Sequence, residues 1–153
     1  QSAARAARAC MNDIPRTPLL LGLAGLIPFV WGAVTGFAPV AWVDEIFVGY
    51  AVLADYGMII LSFMSGVIWG YATRATGRQA NLLYVLSVIP ALWAFFFAFG
   101  DYALLTLAAG FLLILPIDIA ATRAGLAPVW WTRLRVLLTS VVVPCLVIGH
   151  LAA

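Results

Sequence analysis

The chain contains no lysine, one histidine and two cysteines among 153 residues, and only 9% of it is charged. A soluble domain carries about 25% charged residues. Each scarcity excludes something. Without lysine, the formal charge of +2 is arginine minus acid, which is no basic patch for nucleic acid. A lone histidine offers no second imidazole to a metal. Cys10 precedes the first apolar run and Cys145 lies in the middle of the last. No disulfide is expected between such different settings, and Cys145 reads as a small apolar packing residue. No nucleophile–base pair, phosphate-binding loop or metal-spaced Cys/His cluster occurs, and the acids do not converge at one depth as an intramembrane active site would require. The expectation is a protein that is not an enzyme and has no cofactor or metal.

What the chain does have is apolar length. It is 65% hydrophobic, with a mean hydropathy of +1.10. A bilayer core roughly 30 Å thick needs about 20 apolar helical residues to span it. Segments near 18–37, 47–72, 81–99, 102–122 and 132–151 meet that requirement. The predicted fold is therefore all-α: a five-transmembrane-helix bundle forming one domain over 17–153, behind an N-terminal segment 1–16. Short loops leave no room for a soluble catalytic domain.

The charges sort by connection. Arg5, Arg8 and Arg16 precede the first span, Arg74 and Arg78 follow the second, and Arg123, Arg133 and Arg135 bracket the gap between the fourth and fifth. The other two gaps carry Asp44 and Glu45, and Asp101. Cytoplasmic enrichment of Lys and Arg orients membrane helices, so the N-terminus is expected in the cytoplasm and the C-terminus in the periplasm. The membrane expected is a bacterial inner membrane, with the mitochondrial inner membrane as the alternative. Residues 1–10 are rich in Ala and Arg and lack acids. They read either as an extension upstream of Met11 or as the tail of an Arg-rich transit peptide.

Local signals refine the spans. Thr17 suits an N-cap and Pro18 the first helical position. Trp42 and the pair Trp130-Trp131 suit the interfacial aromatic belt. Pro28, Pro90, Pro116 and Pro144 fall inside spans, where each removes a backbone hydrogen bond and favours a kink. Ile27-Pro28-Phe29-Val30-Trp31 echoes Ile89-Pro90-Ala91-Leu92-Trp93, as in a duplicated hairpin repeated parallel about the membrane normal. The indole N–H groups of Trp31 and Trp93 need acceptors, and carbonyls freed by the neighbouring prolines are candidates.

Asp55 is the sharpest candidate for chemistry. Asp55, Ser62, Gly66, Gly70 and Thr73 share a helical face, and Ser62-xxx-Gly66-xxx-Gly70 is a small-residue ladder that admits another helix. A charge within the bilayer is costly and usually faces protein or water. Asp55 is thus expected to point into the bundle, either locking two helices or serving as a proton or cation coupling site. Asp118 is the second membrane acid. Arg123 sits poorly for it, and Arg133, Arg135 or Arg74 are better partners for a salt bridge stapling helix ends. Gly32-xxx-Gly36 is a second, less specific small-residue motif. His150 reads as an interfacial polar residue, with ligation of a haem or pigment as the other possibility.

The runs Ile14-Pro15-Arg16-Thr17-Pro18, Leu23 to Phe29, and Ser62-Phe63-Met64-Ser65-Gly66-Val67-Ile68-Trp69-Gly70 resemble a domain-of-unknown-function family, DUF3429, akin to transmembrane protein sixty-nine. Ser87 to Leu92, Asp118, Ala127-Pro128-Val129-Trp130 and Leu134-Arg135 fit the same pattern. The resemblance implies a small inner-membrane protein with no established activity, and so supplies no catalytic residues. Small-residue faces and membrane-depth aromatics without reactive groups point to an accessory, assembly or scaffolding subunit of a larger membrane complex, with respiratory or photosynthetic electron transfer the favoured hosts. The expected partners are that complex and lipids. The alternative is a small oligomeric proton- or ion-coupled transporter using Asp55.

Overall fold

A computed structural model describes residues 13–38 and 40–153; Arg5, Arg8, Cys10 and Met11 lie outside the described residues. Five helices carry the chain: α1 (Arg16–Phe37), α2 (Gly49–Arg74), α3 (Gly77–Phe97), α4 (Ala103–Arg123) and α5 (Trp131–Ala152). Single 3₁₀ turns, Glu45–Phe47 and Gly100–Tyr102, precede α2 and α4. Together they make five spans long and apolar enough to cross a membrane. Interior prolines occur in α1, α3, α4 and α5, and the helices run on through them.

Two boundaries differ from expectation. Thr17 does not cap α1, because the Pro15 carbonyl already accepts from the Leu19 amide at 3.1 Å. The helix begins at Arg16, and Pro18 falls within its first turn, where a missing N–H costs nothing. The third helix starts at Gly77, four residues ahead of its apolar stretch. Gly77 adopts φ +60°, which reverses the chain within two residues of α2 and draws Arg78 into the first turn of α3.

α1, α2, α4 and α5 pack as a ring, and α3 lies outside it, applied mainly to α2 and only sparingly to α4. The two hairpins of the suspected repeat are therefore packed differently. The fully buried large side chains come from the ring: Phe29 of α1, Leu53, Leu61 and Ile68 of α2, Leu104, Leu107, Phe111 and Ile114 of α4, and Leu146 of α5. Phe29 sits edge-on to Tyr56 and to Phe111, with ring centroids 5.0 and 6.0 Å apart. α3 adds chiefly small residues, Ala80, Ser87 and Ala94 among them.

Glycines set how closely the ring closes, since lipid supplies no hydrophobic drive between helices and close packing has to hold them. Leu53 seats between α1 and α5. A Cβ on Gly32 would stand 2.6 Å from Leu53 Cγ, and a Cβ on Gly149 would stand 2.1 Å from Leu53 Cδ1. Leu61 seats in the same way on Gly110 of α4, at 2.7 Å. The Gly32–Gly36 motif is thus a true close contact, with Gly36 also lying against Gly49.

Hydrogen bonds finish the joints. Thr35 donates to the Trp31 carbonyl at 2.8 Å and accepts from the Gly49 amide at 2.8 Å, pinning α1 to the start of α2. Ser65 accepts from the Ala91 amide at 3.0 Å, just past the Pro90 interruption. The Tyr50 hydroxyl donates to the Gly100 carbonyl. The indoles find acceptors outside their own helices: Trp31 donates to the Phe47 carbonyl at 2.7 Å and Trp93 to the Thr106 carbonyl at 2.9 Å. Carbonyls freed by the neighbouring prolines are therefore not their partners.

Gly32→Ala is expected to cost about 1–3 kcal/mol, because boxed Leu53 has nowhere to retreat. Gly66→Ala, at a position where an added Cβ meets none of the described residues within 4 Å, should not destabilise the protein, since alanine is the better helix former by about 0.5–1 kcal/mol. Unfolding curves of the detergent-purified variants test the contrast, and equal losses would contradict it.

Candidate functional site

Asp118 is the most demanding residue in the fold. It lies near the arginine-bearing end of α4 and is 1% exposed. A carboxylate so placed is tolerable only when its lone pairs are filled. Three side chains do this. The Tyr71 hydroxyl of α2 donates to Oδ1 at 2.6 Å, and the Trp131 indole N–H of α5 donates to the same oxygen at 3.2 Å. Arg135 of α5 donates from Nε to Oδ2 at 2.7 Å and forms the ion pair. The carbonyl of Asp118 also accepts from the Thr122 hydroxyl at 3.0 Å. One acid thereby joins α2, α4 and α5.

Of the three arginines weighed for Asp118, helix geometry selects Arg135. Arg133, two residues earlier, points about 200° away around α5 and is exposed. Arg74 goes elsewhere, donating from Nη1 to the Leu126 carbonyl at 3.1 Å. That carbonyl is presented by the C-terminal turn of α4, where Gly125 at φ +75° lets the Leu126 amide return to the Ala121 carbonyl at 2.9 Å. Arg74 thus ties the end of α2 to the α4–α5 connection.

The α2 face expected to turn inward turns outward. Asp55, Ser62, Gly66, Gly70 and Thr73 are all exposed. A Cβ on Gly66 or on Gly70 would meet nothing within 4 Å. Ser62 spends its hydroxyl on the Met58 carbonyl of its own helix, at 2.9 Å. The opposite face, with Leu53, Leu61 and Ile68, wins the interior because its large side chains fill the holes offered by Gly32, Gly110 and Gly149. Asp55 and Asp118 are therefore not brought together. His150 sits at the other end of the bundle, its Nδ1 3.0 Å from the Asp101 carbonyl and its ring beside Tyr102. Cys145 is a buried free thiol. Among the described residues no group of three or more His, Cys, Asp or Glu side chains could hold a metal ion.

Residues 14–151, a stretch that holds every partner of Asp118, match the family described as protein of unknown function, DUF3429. The chain belongs to that family. It is also similar to Transmembrane protein 69 of Xenopus tropicalis, 35% identical over 143 residues that cover 90% of this chain and 54% of the relative. The chain thus spans about half the length of the curated relative it matches. No solved structure matches it significantly. Family and fold agree on a multi-pass membrane protein with five candidate spans.

Sequence alone does not mark two members of the Asp118 cluster: Trp131 suits the interfacial aromatic belt, and Tyr71 carries no charge to set it beside the acids and arginines. The available signal was stoichiometric: a buried carboxylate has about four lone-pair sites, so one arginine does not satisfy it. Aromatic O–H and N–H groups near the same helix ends are the natural complement.

Asp118→Ala leaves the Arg135 guanidinium buried without its counter-charge and should destabilise the protein by about 3–5 kcal/mol. Tyr71→Phe removes one charge-assisted donor and should cost about 1.5–3 kcal/mol. Chemical unfolding in detergent ranks the two variants, and a Tyr71→Phe loss matching that of Asp118→Ala would show that the ion pair is not the dominant contact.

Proposed function

We propose that this protein is an accessory or scaffolding subunit of a larger membrane complex, and that it docks through the outward face of α2. The observation that carries the proposal is Asp55. It stands on the outside of a membrane-spanning helix, in line with Ser62, Gly66, Gly70 and Thr73. Ionisable side chains within spans are costly against lipid and face protein or water instead. Small residues in line with such an acid admit a helix backbone to close range. A partner helix bearing a donor near Asp55 would answer both features.

The charge pattern supports an orientation in which the ends bearing Arg16, Arg74, Arg78, Arg123 and Arg133 face the cytoplasm of a bacterium or the matrix of a mitochondrion. The C-terminus would then lie on the opposite side of that inner membrane. Electron-transfer assemblies of such membranes are the hosts to test first. A coupling role for Asp55 in transport would require an interface with another chain, because its own bundle leaves it outside.

The test uses the tagged full chain in native membranes. Wild-type protein is expected to co-purify at fixed stoichiometry with a larger complex. Gly66→Leu, at a position where an added Cβ meets none of the described residues within 4 Å, should keep its fold and lose association by about tenfold or more, equivalent to some 1.4 kcal/mol. A monodisperse free protein in mild detergent, with no cross-linked partner, would overturn the proposal. Proton-dependent flux by reconstituted protein that disappears in Asp55→Asn would favour the transport reading instead.

A further inference from the structure

A cavity of about 430 Å³ opens between α1, α2 and α5 in the half of the bundle nearer the arginine-bearing end. Gly32 and Gly36 bring α1 and α2 into close contact beyond Pro28; before it, the Tyr56 hydroxyl of α2 reaches across to the Gly25 carbonyl of α1. Exposed Leu21 of α1 and Phe63 of α2 border the space, so it is reached sideways from the bilayer. The volume lies within the ordinary range of small-molecule sites, about 300–1,000 Å³.

The lining is apolar except for four side chains, Tyr56, Trp131, Arg135 and Thr139. Two are already engaged: the Tyr56 hydroxyl donates to the Gly25 carbonyl at 3.1 Å, and Trp131 donates to Asp118. The other two are not. Arg135 Nη2 and Thr139 Oγ1 are buried with no hydrogen-bond partner among the described residues. Arg135 is 4% and Thr139 5% exposed. They stand four residues apart, on adjacent turns of one face of α5, about 5–6 Å from each other at Cβ. An unmet buried donor is costly, and the two residues that carry these atoms both belong to the wall of the same apolar space.

We propose that this cavity binds a neutral lipophile through a carbonyl oxygen that accepts hydrogen bonds from Arg135 Nη2 and Thr139 Oγ1, with the apolar body lying toward α1 and α2. Neutrality follows from charge. Asp118 already balances Arg135, so an anion would leave a net negative charge in a desolvated pocket and a cation would face the guanidinium. Membranes supply this chemistry from two sources, the ring of an isoprenoid quinone and the ester carbonyl of an acyl lipid. The inference is independent of the outward face of α2.

The experiment measures binding to the full chain in detergent, using a decyl-substituted benzoquinone in one arm and dioctanoylglycerol in the other. Saturable binding in either arm is expected, and the arm that binds identifies the source. Thr139→Val should weaken it about three- to tenfold, the worth of one hydrogen bond, without lowering the stability of the free protein, since it removes an unmet hydroxyl. Val67→Trp, at the cavity wall, should abolish binding by filling the space. Equal competition by dodecane, affinity unchanged in Thr139→Val, tighter binding of ionised dodecanoate than of either neutral probe, or no saturable binding at all would each overturn the proposal.

Discussion

The fold depends on keeping one carboxylate satisfied where water is scarce. Asp118 is buried near the end of α4, and its donors come from α2 and α5. An acid in that position is unfavourable until Tyr71, Trp131 and Arg135 are all in place, and they come into place only when three helices share one register. The cluster therefore acts on specificity as much as on stability. A helix rotated by one residue would leave both an acid and an arginine unmet inside the protein.

Away from that cluster, the bundle closes by shape. α2 carries the main knobs and its neighbours the holes that take them, while Gly57 of α2 in turn receives Leu107 of α4. Leu53 and Leu61 enter spaces kept open by Gly32, Gly110 and Gly149, and the leucines themselves are fully buried. α3 takes little part in this and is fastened to α2 by small residues and the Ser65–Ala91 hydrogen bond.

Much of this was legible in the sequence, and the rest failed for identifiable reasons. Hydropathy and length place the five spans to within a few residues, missing mainly the early start of α3 that Gly77 permits. The need of Asp118 for an arginine follows from charge alone. Which arginine serves it depends on the phase of α5, and composition does not reveal phase. On α2 the small residues do not mark the buried face. A close contact needs a small residue on only one of its two sides, and around Leu53 and Leu61 that side belongs to α1, α4 and α5. The polar stripe from Asp55 to Thr73 was visible as a stripe, but its direction was settled by the larger side chains behind it.

Leu53 illustrates what shared packing implies for change over time. Because one side chain fills holes in two helices, Gly32 and Gly149 are coupled without touching each other. Substitutions at the two glycines will not combine additively, since both act on the same leucine. A smaller residue at position 53 would relieve a methyl added at either site, so that a lesion in α1 or in α5 shares a suppressor in α2. The three positions are coupled by packing, and changes at one are expected to be compensated at the others.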